Sequence, residues 1–200
     1  MLCPLWKAWR GKSEDFSETP VRDSGRNFKI RGIGRIMAQE IQIRLAEAEE
    51  LAAIEKLVKT AYQEFQPFMA EAVWERWMDN ISETLLAPEG MMLVVERQGR
   101  IQGAVKFYPD AAQAHQGRWP AGAGLIRVLA VSPDSRGRGY GVRLTQACLT
   151  RARDLKIPTI FLYTGTFMAA ARHIYEKLGF KRATKFDREP GPIAYRLDLV

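Results

Sequence analysis

Two adjacent segments dominate the second half of the chain: the apolar run Leu125-Ile126-Arg127-Val128-Leu129-Ala130-Val131 and the glycine-rich run Arg136-Gly137-Arg138-Gly139-Tyr140-Gly141. The first run is almost continuously apolar, as expected of a central strand that is covered on both faces. The second run stands between this strand and the apolar stripe of a helix. This junction therefore predicts an α/β fold with a ligand-binding loop between strand and helix.

The glycine-rich run has the composition of an anion-binding loop. Its glycines let successive backbone N–H groups converge, and the following helix N-terminus adds partial positive charge. Arg136 and Arg138 supply guanidinium groups that pair with phosphate oxygens. An ordinary turn with solvated arginines has the same composition, so it is the position between strand and helix that favours pyrophosphate binding.

Two other phosphate-binding motifs do not fit this loop. A P-loop needs Lys followed by Ser or Thr after its last glycine, whereas Val142-Arg143 follows here. A dinucleotide-binding fingerprint needs an acidic residue about 20 residues further on. That position falls in Thr159-Ile160-Phe161-Leu162-Tyr163, which contains no acid.

Periodicity extends the strand–helix pattern in both directions from the junction. Strands are predicted at 42–45, 92–96, 101–108, 125–131, 159–163, 182–186 and 193–199. Helices are predicted at 51–61, 74–85, 144–155 and 167–178. A substrate pocket could be lined by aromatic residues in this region, namely Trp74, Trp77 and the segment 65–69. Aromatic residues at helical spacing usually belong to the core, however.

Composition excludes several classes of protein. Only two cysteines occur, Cys3 and Cys148, and Cys148 falls on a helical apolar stripe, so neither a disulfide framework nor a zinc site is expected. No apolar run approaches the roughly 20 residues that cross a bilayer. His115 and His173 have no triad or ligand set around them. We expect a soluble, cytoplasmic protein without a metal.

The first 36 residues are expected to lie outside the fold. They show no periodicity, which indicates disorder or a non-native extension, and Met37 is our predicted native start. Eight basic and four acidic residues give this segment a charge of +4 and leave +3 of the total of +7 for 37–200. Because +3 is only mildly basic, binding to nucleic acid is a minor hypothesis.

The junction resembles the general N-acetyltransferase (GNAT) superfamily, whose acetyl-CoA loop reads Arg/Gln-x-x-Gly-x-Gly/Ala. Arg136, Gly139 and Gly141 match this pattern. Leu129 to Pro133 looks like the family's fourth strand, and Tyr175 to Phe180 looks like its fourth helix. The resemblance spans residues 42–200. It implies an N-acetyltransferase domain at 37–200 with a mixed, mainly antiparallel sheet of about seven strands, flanked by helices and splayed between strands 4 and 5.

The resemblance also implies roles for individual residues. Backbone groups of Leu129, Ala130 and Val131 would bind the pantetheine arm, and a backbone N–H, for which Val131 is our candidate, would stabilise the oxyanion. The pyrophosphate would bind the loop formed by Arg136, Gly137, Arg138, Gly139, Tyr140 and Gly141. Tyr175 matches the usual proton donor to the leaving thiolate, although a tyrosine on an apolar helix face most often simply packs.

The predicted reaction is direct acetyl transfer from acetyl-CoA to a primary amine in a ternary complex. No activated Cys or Ser is apparent that would form an acyl-enzyme. The amine needs a base, and Glu96 is the best-placed carboxylate, although a solvated glutamate at a strand end looks the same. Two residues depart from the family pattern: Met168 replaces a frequent Asn, and Arg127 stands where some members carry an acid.

Several alternatives stay open at this point. A non-catalytic acyl-CoA-binding or sensing module would keep the same loop without turnover. The acceptor amine is not identified by the sequence, and a homodimer is compatible with the resemblance.

Overall fold

The computed structural model describes residues 41–114, 119–188 and 191–199. The predicted N-terminal extension, the proposed start at Met37, Cys3 and His115 lie outside the described residues. Within them, no helix is long and apolar enough to cross a membrane.

Seven strands form one mixed sheet in the order β1-β2-β3-β4-β5-β7-β6. The strands are β1 (Ile41–Leu45), β2 (Met91–Arg97), β3 (Arg100–Tyr108), β4 (Gly124–Val131), β5 (Thr159–Thr164), β6 (Lys181–Arg182) and β7 (Ile193–Asp198). All neighbours pair antiparallel except β4 and β5, which are parallel. The predicted mixed, mainly antiparallel sheet is confirmed.

Four α-helices accompany the sheet: α1 (Leu51–Tyr62), α2 (Glu71–Leu86), α3 (Tyr140–Asp154) and α4 (Ala169–Lys177). Both α2 and α3 begin earlier than the apolar stripe indicates, because their first turns carry the polar or small residues of a helix start. A 3-10 segment, Gln63–Phe68, connects α1 to α2.

The two faces of the sheet bury separate apolar clusters. On one face, Leu144 and Cys148 of α3 pack with Leu162 of β5. On the other face, Ile54 and Val58 of α1 pack with residues of β2, β3 and β4. Because the central strands are covered on both sides, β4 reads as an almost continuous apolar run.

The predicted strand at 182–186 is wrong in its extent. Only Lys181–Arg182 pairs with β7, and Thr184–Phe186 forms a 3-10 turn. The carboxylate of Asp187 replaces the strand ladder, since it accepts the backbone N–H of Ala194 at 2.7 Å and also binds Arg182. The chain turns there because a side chain satisfies the backbone group that a longer strand would have paired.

Candidate active site

A cleft opens between β4 and β5 because their pairing stops after three residues. Ile126 opposite Leu162 is the last parallel pair. The residues of β4 that follow form a bulge. Ala104 of β3 pairs with Ala130, and Lys106 pairs with Arg127, so the single residue Val105 lies opposite two residues of β4. One of them, Val128, has a φ of 52°, which a β-branched residue rarely adopts. Beyond this point β4 no longer pairs with β5, and a cavity of about 40 Å³ lies between them.

The edge of β4 that faces this cleft carries backbone groups that β5 does not pair, and the C=O of Leu129 instead accepts from the Tyr62 hydroxyl at 3.0 Å. The Ser132 N–H donates to the Gln102 carbonyl at 2.8 Å, which fixes the alternation of the β3–β4 ladder. Ala130 is in phase with Ser132, so its N–H and C=O face β3. The N–H and C=O groups of Leu129 and Val131 therefore face the cleft. Two of the three strand residues that were predicted to bind the cofactor therefore present backbone groups to the cleft.

The glycine-rich loop leads from β4 into the N-terminus of α3. Gly137 and Gly139 have φ of 74° and 77°, and a Cβ at either position would meet no atom within 4 Å. Gly139 caps α3 and accepts from the N–H of Arg143 at 3.0 Å. The N–H groups of residues 139–142 have no intrahelical acceptor, because they form the first turn. The loop therefore presents several backbone N–H donors that have no partner in the helix, and the space beside its two glycines is open.

The other loop residues differ in their surroundings. Tyr140 is buried in the core and Arg138 is exposed. Gly141 packs so tightly that a Cβ there would lie 2.9 Å from Ile174. Arg136 donates to the Glu64 carboxylate at 2.7 Å and to the Ala61 carbonyl at 2.9 Å. Its guanidinium is therefore directed toward the end of α1.

Tyr175, the predicted proton donor, lines the cleft from α4. Its side chain is 4% exposed and packs against Phe180 and Tyr195. Burial raises the pKa of its hydroxyl well above the ordinary value of 10.0. The hydroxyl therefore stays protonated and is able to donate a proton at neutral pH.

A second tyrosine, Tyr62 at the end of α1, also lines the cleft. Its hydroxyl donates to the Leu129 carbonyl at 3.0 Å, and burial raises its pKa. Sequence reasoning missed this residue because it continues the apolar stripe of α1, four residues after Val58. Only the long-range contact with β4 distinguishes Tyr62 from an ordinary core tyrosine.

The two departures from the family pattern both lie in the cleft lining. Met168 precedes α4, and its sulfur accepts the Gly165 N–H at 3.3 Å. Arg127 donates to the side-chain carbonyl of Asn80 on α2 at 2.7 Å. Burial lowers the pKa of Arg127 from its ordinary value.

The candidate base Glu96 lies elsewhere. Its carboxylate pairs with Arg44 at 2.6 Å, and Arg44 also binds Glu50. Glu96 is not among the described residues that line the cleft. His173, the histidine that the structure describes, is exposed on α4.

The aromatic residues of α2 and of the segment before it have different surroundings, and none of them lines the cleft directly among the described residues. Trp74 is 8% exposed and belongs to the core. Trp77 stacks on Tyr62 at 5.2 Å and so packs against a residue of the cleft. Phe68 is 63% exposed and stacks on Phe167 at 5.3 Å.

An interrupted strand edge that is followed along the chain by a glycine-rich loop and a helix N-terminus is typical of a transferase that holds a long, phosphate-bearing co-substrate. The model of the acetyltransferase (GNAT) family matches residues 51–180. This chain therefore belongs to the acetyltransferase (GNAT) family, a family of acyl-CoA-dependent acyltransferases, and the resemblance found in the sequence is confirmed.

Curated relatives match somewhat more than half of the chain. A mycothiol acetyltransferase of Cellulomonas flavigena is 38% identical over 113 residues, which cover 56% of this chain and 32% of that protein. A mycothiol acetyltransferase of Rhodococcus opacus is 34% identical over 116 residues, covering 57% of this chain and 34% of that protein. The chain thus matches about a third of the length of these relatives.

Solved structures show the same fold. The PaiA N-acetyltransferase of Thermoplasma acidophilum, in complex with coenzyme A, aligns with a TM-score of 0.62 at 14% identity and covers 80% of this chain and 99% of that one. A GNAT acetyltransferase of Brucella melitensis, in complex with acetyl-CoA, aligns with a TM-score of 0.59 at 18% identity and covers 81% and 90%.

Proposed function

We propose that this chain is an N-acetyltransferase that transfers the acetyl group of acetyl-CoA to a primary amine by direct attack in a ternary complex. The observation that carries the proposal is the order of features along one contiguous stretch of chain. The cleft-facing edge of β4 at Leu129 and Val131 is followed by the loop with Gly137 and Gly139 and by the N-terminus of α3. A strand edge followed by a helix N-terminus matches a pantetheine arm followed by a pyrophosphate.

The residues present fit acetyl-CoA. The open space above Gly137 and Gly139 admits phosphates close to the backbone N–H groups, which a Cβ would obstruct. The exposed Arg138 supplies a cation at the same loop. The amides of the pantetheine arm would extend the sheet at β4. Acetyl-CoA supplies the activated thioester, and the chain supplies positioning and charge stabilisation.

Two groups of the chain would act on the reacting atoms. A cleft-facing N–H of β4, from Leu129 or Val131, would stabilise the negative charge that develops on the acyl oxygen. Tyr175 would donate its proton to the departing thiolate, because its protonated hydroxyl lies on a residue that lines the cleft. Cys148 does not compete as a nucleophile, because it is fully buried and burial raises its pKa to about 12.

The acceptor must lose a proton before it attacks, because an alkyl amine has a pKa of about 10.4. No carboxylate lines the cleft among the described residues. We therefore assign deprotonation to water in the open cleft. Glu96 remains engaged with Arg44.

The test is the release of CoA thiol from acetyl-CoA in the presence of a panel of amines. Amine-dependent release is expected. Tyr175→Phe should lower kcat about 100-fold, as the loss of a general acid typically does. The matched control is Tyr195→Phe, since Tyr195 is 2% exposed in the same core but bonds Glu176 rather than lining the cleft.

The alternative predicts a different result in the same assay. A sensing module would bind acetyl-CoA without releasing thiol for any amine, and that outcome would replace the proposal. The acceptor of the mycothiol acetyltransferases is not transferred to this chain, because the match covers about a third of those proteins.

A further inference from the structure

The apex of the cleft is the point where the pairing of β4 and β5 ends. Just beyond it, Arg127 and Tyr163 lie on the face of the sheet that α1 and α2 cover. Arg127 follows the last paired residue of β4, and Tyr163 follows the last paired residue of β5. Ile126 and Leu162 pack toward α3, so their chain neighbours point to the opposite face. The contact of Arg127 with Asn80 on α2 agrees with this direction.

A second guanidinium lies against Tyr163. Arg188, on the connection between β6 and β7, places its guanidinium carbon 5.0 Å from the centre of the Tyr163 ring. Its backbone N–H donates to the Pro192 carbonyl at 3.1 Å, which fixes the backbone position of Arg188. Arg127 and Tyr163 both line the cleft, Asn80 contacts Arg127, and Arg188 contacts Tyr163, so four separate elements contribute to this region.

Neither guanidinium has an acidic partner in the part of the chain that the structure describes. The described ion pairs involve Arg44, Lys59, Arg136, Arg182 and Arg196 instead. The partners of Arg127 are the neutral amide of Asn80 and the hydroxyl of Tyr108, and the buried Nε of Arg188 has no acceptor among these residues. The buried Nε1 of Trp119, whose ring lies 4.6 Å from that of Tyr163, also has none.

Two like charges held in a partly buried region raise the free energy of the protein unless an anion lies between them. Burial lowers the pKa of Arg127, and the charge of Arg188 lowers it further. An oxyanion would relieve both effects, because the arginine fork binds carboxylate and phosphate oxygens with two parallel hydrogen bonds.

We infer that the amine acceptor carries an oxyanion group, a carboxylate or a phosphate, which Arg127 and Arg188 bind at the apex of the cleft. The phosphates of the proposed co-substrate do not account for these residues, because Arg127 lies in the middle of β4, whereas the glycine-rich loop follows the C-terminal end of that strand, beyond Val131. The inference rests on the proposed function and names the class of its acceptor.

The test compares amines that differ only in charge at the far end. The carboxylate pair is 4-aminobutanoate against 4-aminobutanamide, and the phosphate pair is O-phosphoethanolamine against ethanolamine. CoA release is measured for each at saturating acetyl-CoA. The anionic member of one pair should have a kcat/KM at least about tenfold above its neutral partner, since hydrogen bonds to charged groups have this strength. The pair that responds identifies the oxyanion.

Variants then assign the preference to the two arginines. Arg188→Gln and Arg127→Gln should each raise the KM for the anionic amine about tenfold or more and leave that for the neutral amine unchanged. Arg188→Lys should restore part of the loss, because it keeps the charge without the fork. The control is Arg196→Gln, which removes a half-exposed arginine of β7. Arg188 lies on a connection, so its replacement tests the inference even where Arg127→Gln folds poorly.

The outcomes separate the inference from the function. Equal kcat/KM within both pairs, or a preference that survives both arginine variants, would overturn the anionic acceptor while leaving the acetyltransferase intact. Acetyl-CoA binding without CoA release for any amine would instead overturn the proposed function, and the inference with it.

Discussion

The two ends of the cleft are built in different ways. The proposed co-substrate end comes from one contiguous stretch, residues 129–131 of β4 and the loop that follows them, and it uses backbone groups set by a bulge and by glycines. The acceptor end assembles side chains from four distant elements, among them Asn80, Arg127 and Arg188. A backbone site tolerates changes of side chain but not of conformation, whereas a side-chain site can change its ligand through single substitutions.

The largest expected effect is a loss of acetyl-CoA binding at the proposed co-substrate end. Gly139→Glu places a carboxylate among the loop donors and should weaken acetyl-CoA binding about a hundredfold or more, by charge repulsion and loss of hydrogen bonds to phosphate. Gly99→Glu is the matched control, since Gly99 has a φ of 69° and equally open surroundings at the β2–β3 turn. Both variants carry about 1–2 kcal/mol of backbone strain. Titration calorimetry with acetyl-CoA would contradict this view if the two variants bound alike.

A smaller effect, on the free energy of unfolding, is expected for a buried lysine beside Arg127. Lys106, the register partner of Arg127, is 2% exposed, and its ammonium donates to the Thr84 and Ala87 carbonyls at 2.8 and 2.5 Å. Burial lowers its pKa from 10.5 to about 8. The folded protein therefore binds fewer protons than the unfolded chain between these pH values, so Lys106 adds stability as the pH rises from 8 to 10.5.

This prediction is checked by urea unfolding across that pH range. The free energy of unfolding of the native protein, minus that of Lys106→Met, should increase with pH by ~3 kcal/mol at most. The difference is used because Cys148, whose pKa is raised, has the opposite effect above pH 9. Lys56→Met, at an exposed position of α1, should give a flat difference. A flat difference for Lys106→Met as well would show that its ammonium is not penalised by burial.

The smallest effect concerns Arg136, the one loop residue that depends on a distant side chain. Glu64→Gln removes its carboxylate partner, which is 46% exposed, and frees the guanidinium for phosphate. An exposed ion pair contributes about 0–1 kcal/mol. Acetyl-CoA should therefore bind up to about fivefold more tightly, and Glu83→Gln, an exposed site on α2, should not change the affinity. Weaker binding in Glu64→Gln would mean that Glu64 positions Arg136 for the ligand.

The contrast between the two ends also explains what the sequence could predict. The strand, the loop and the start of α3 are contiguous, so their order and spacing identify the fold and the co-substrate end. The bulge at Val128 has no glycine or proline to mark it, and Tyr62 looks like one more member of an apolar stripe. Arg188 becomes informative only in the folded protein, where it lies against Tyr163. The length of β6 was overestimated, because the carboxylate of Asp187 accepts the Ala194 N–H that a longer strand would have paired.

The alternation along β4 has a consequence for the energetics of the whole domain. Ala130 is paired within the sheet, while Val131 and the N–H of Leu129 face the cleft, so a bound acyl-CoA would pair with this edge of β4 as an added strand does. Folding and ligand concentration are then thermodynamically linked. At a ligand concentration about 100 times Kd, the free energy of unfolding rises by about 2.7 kcal/mol. The resistance of this protein to unfolding would accordingly follow the acyl-CoA supply of the cell.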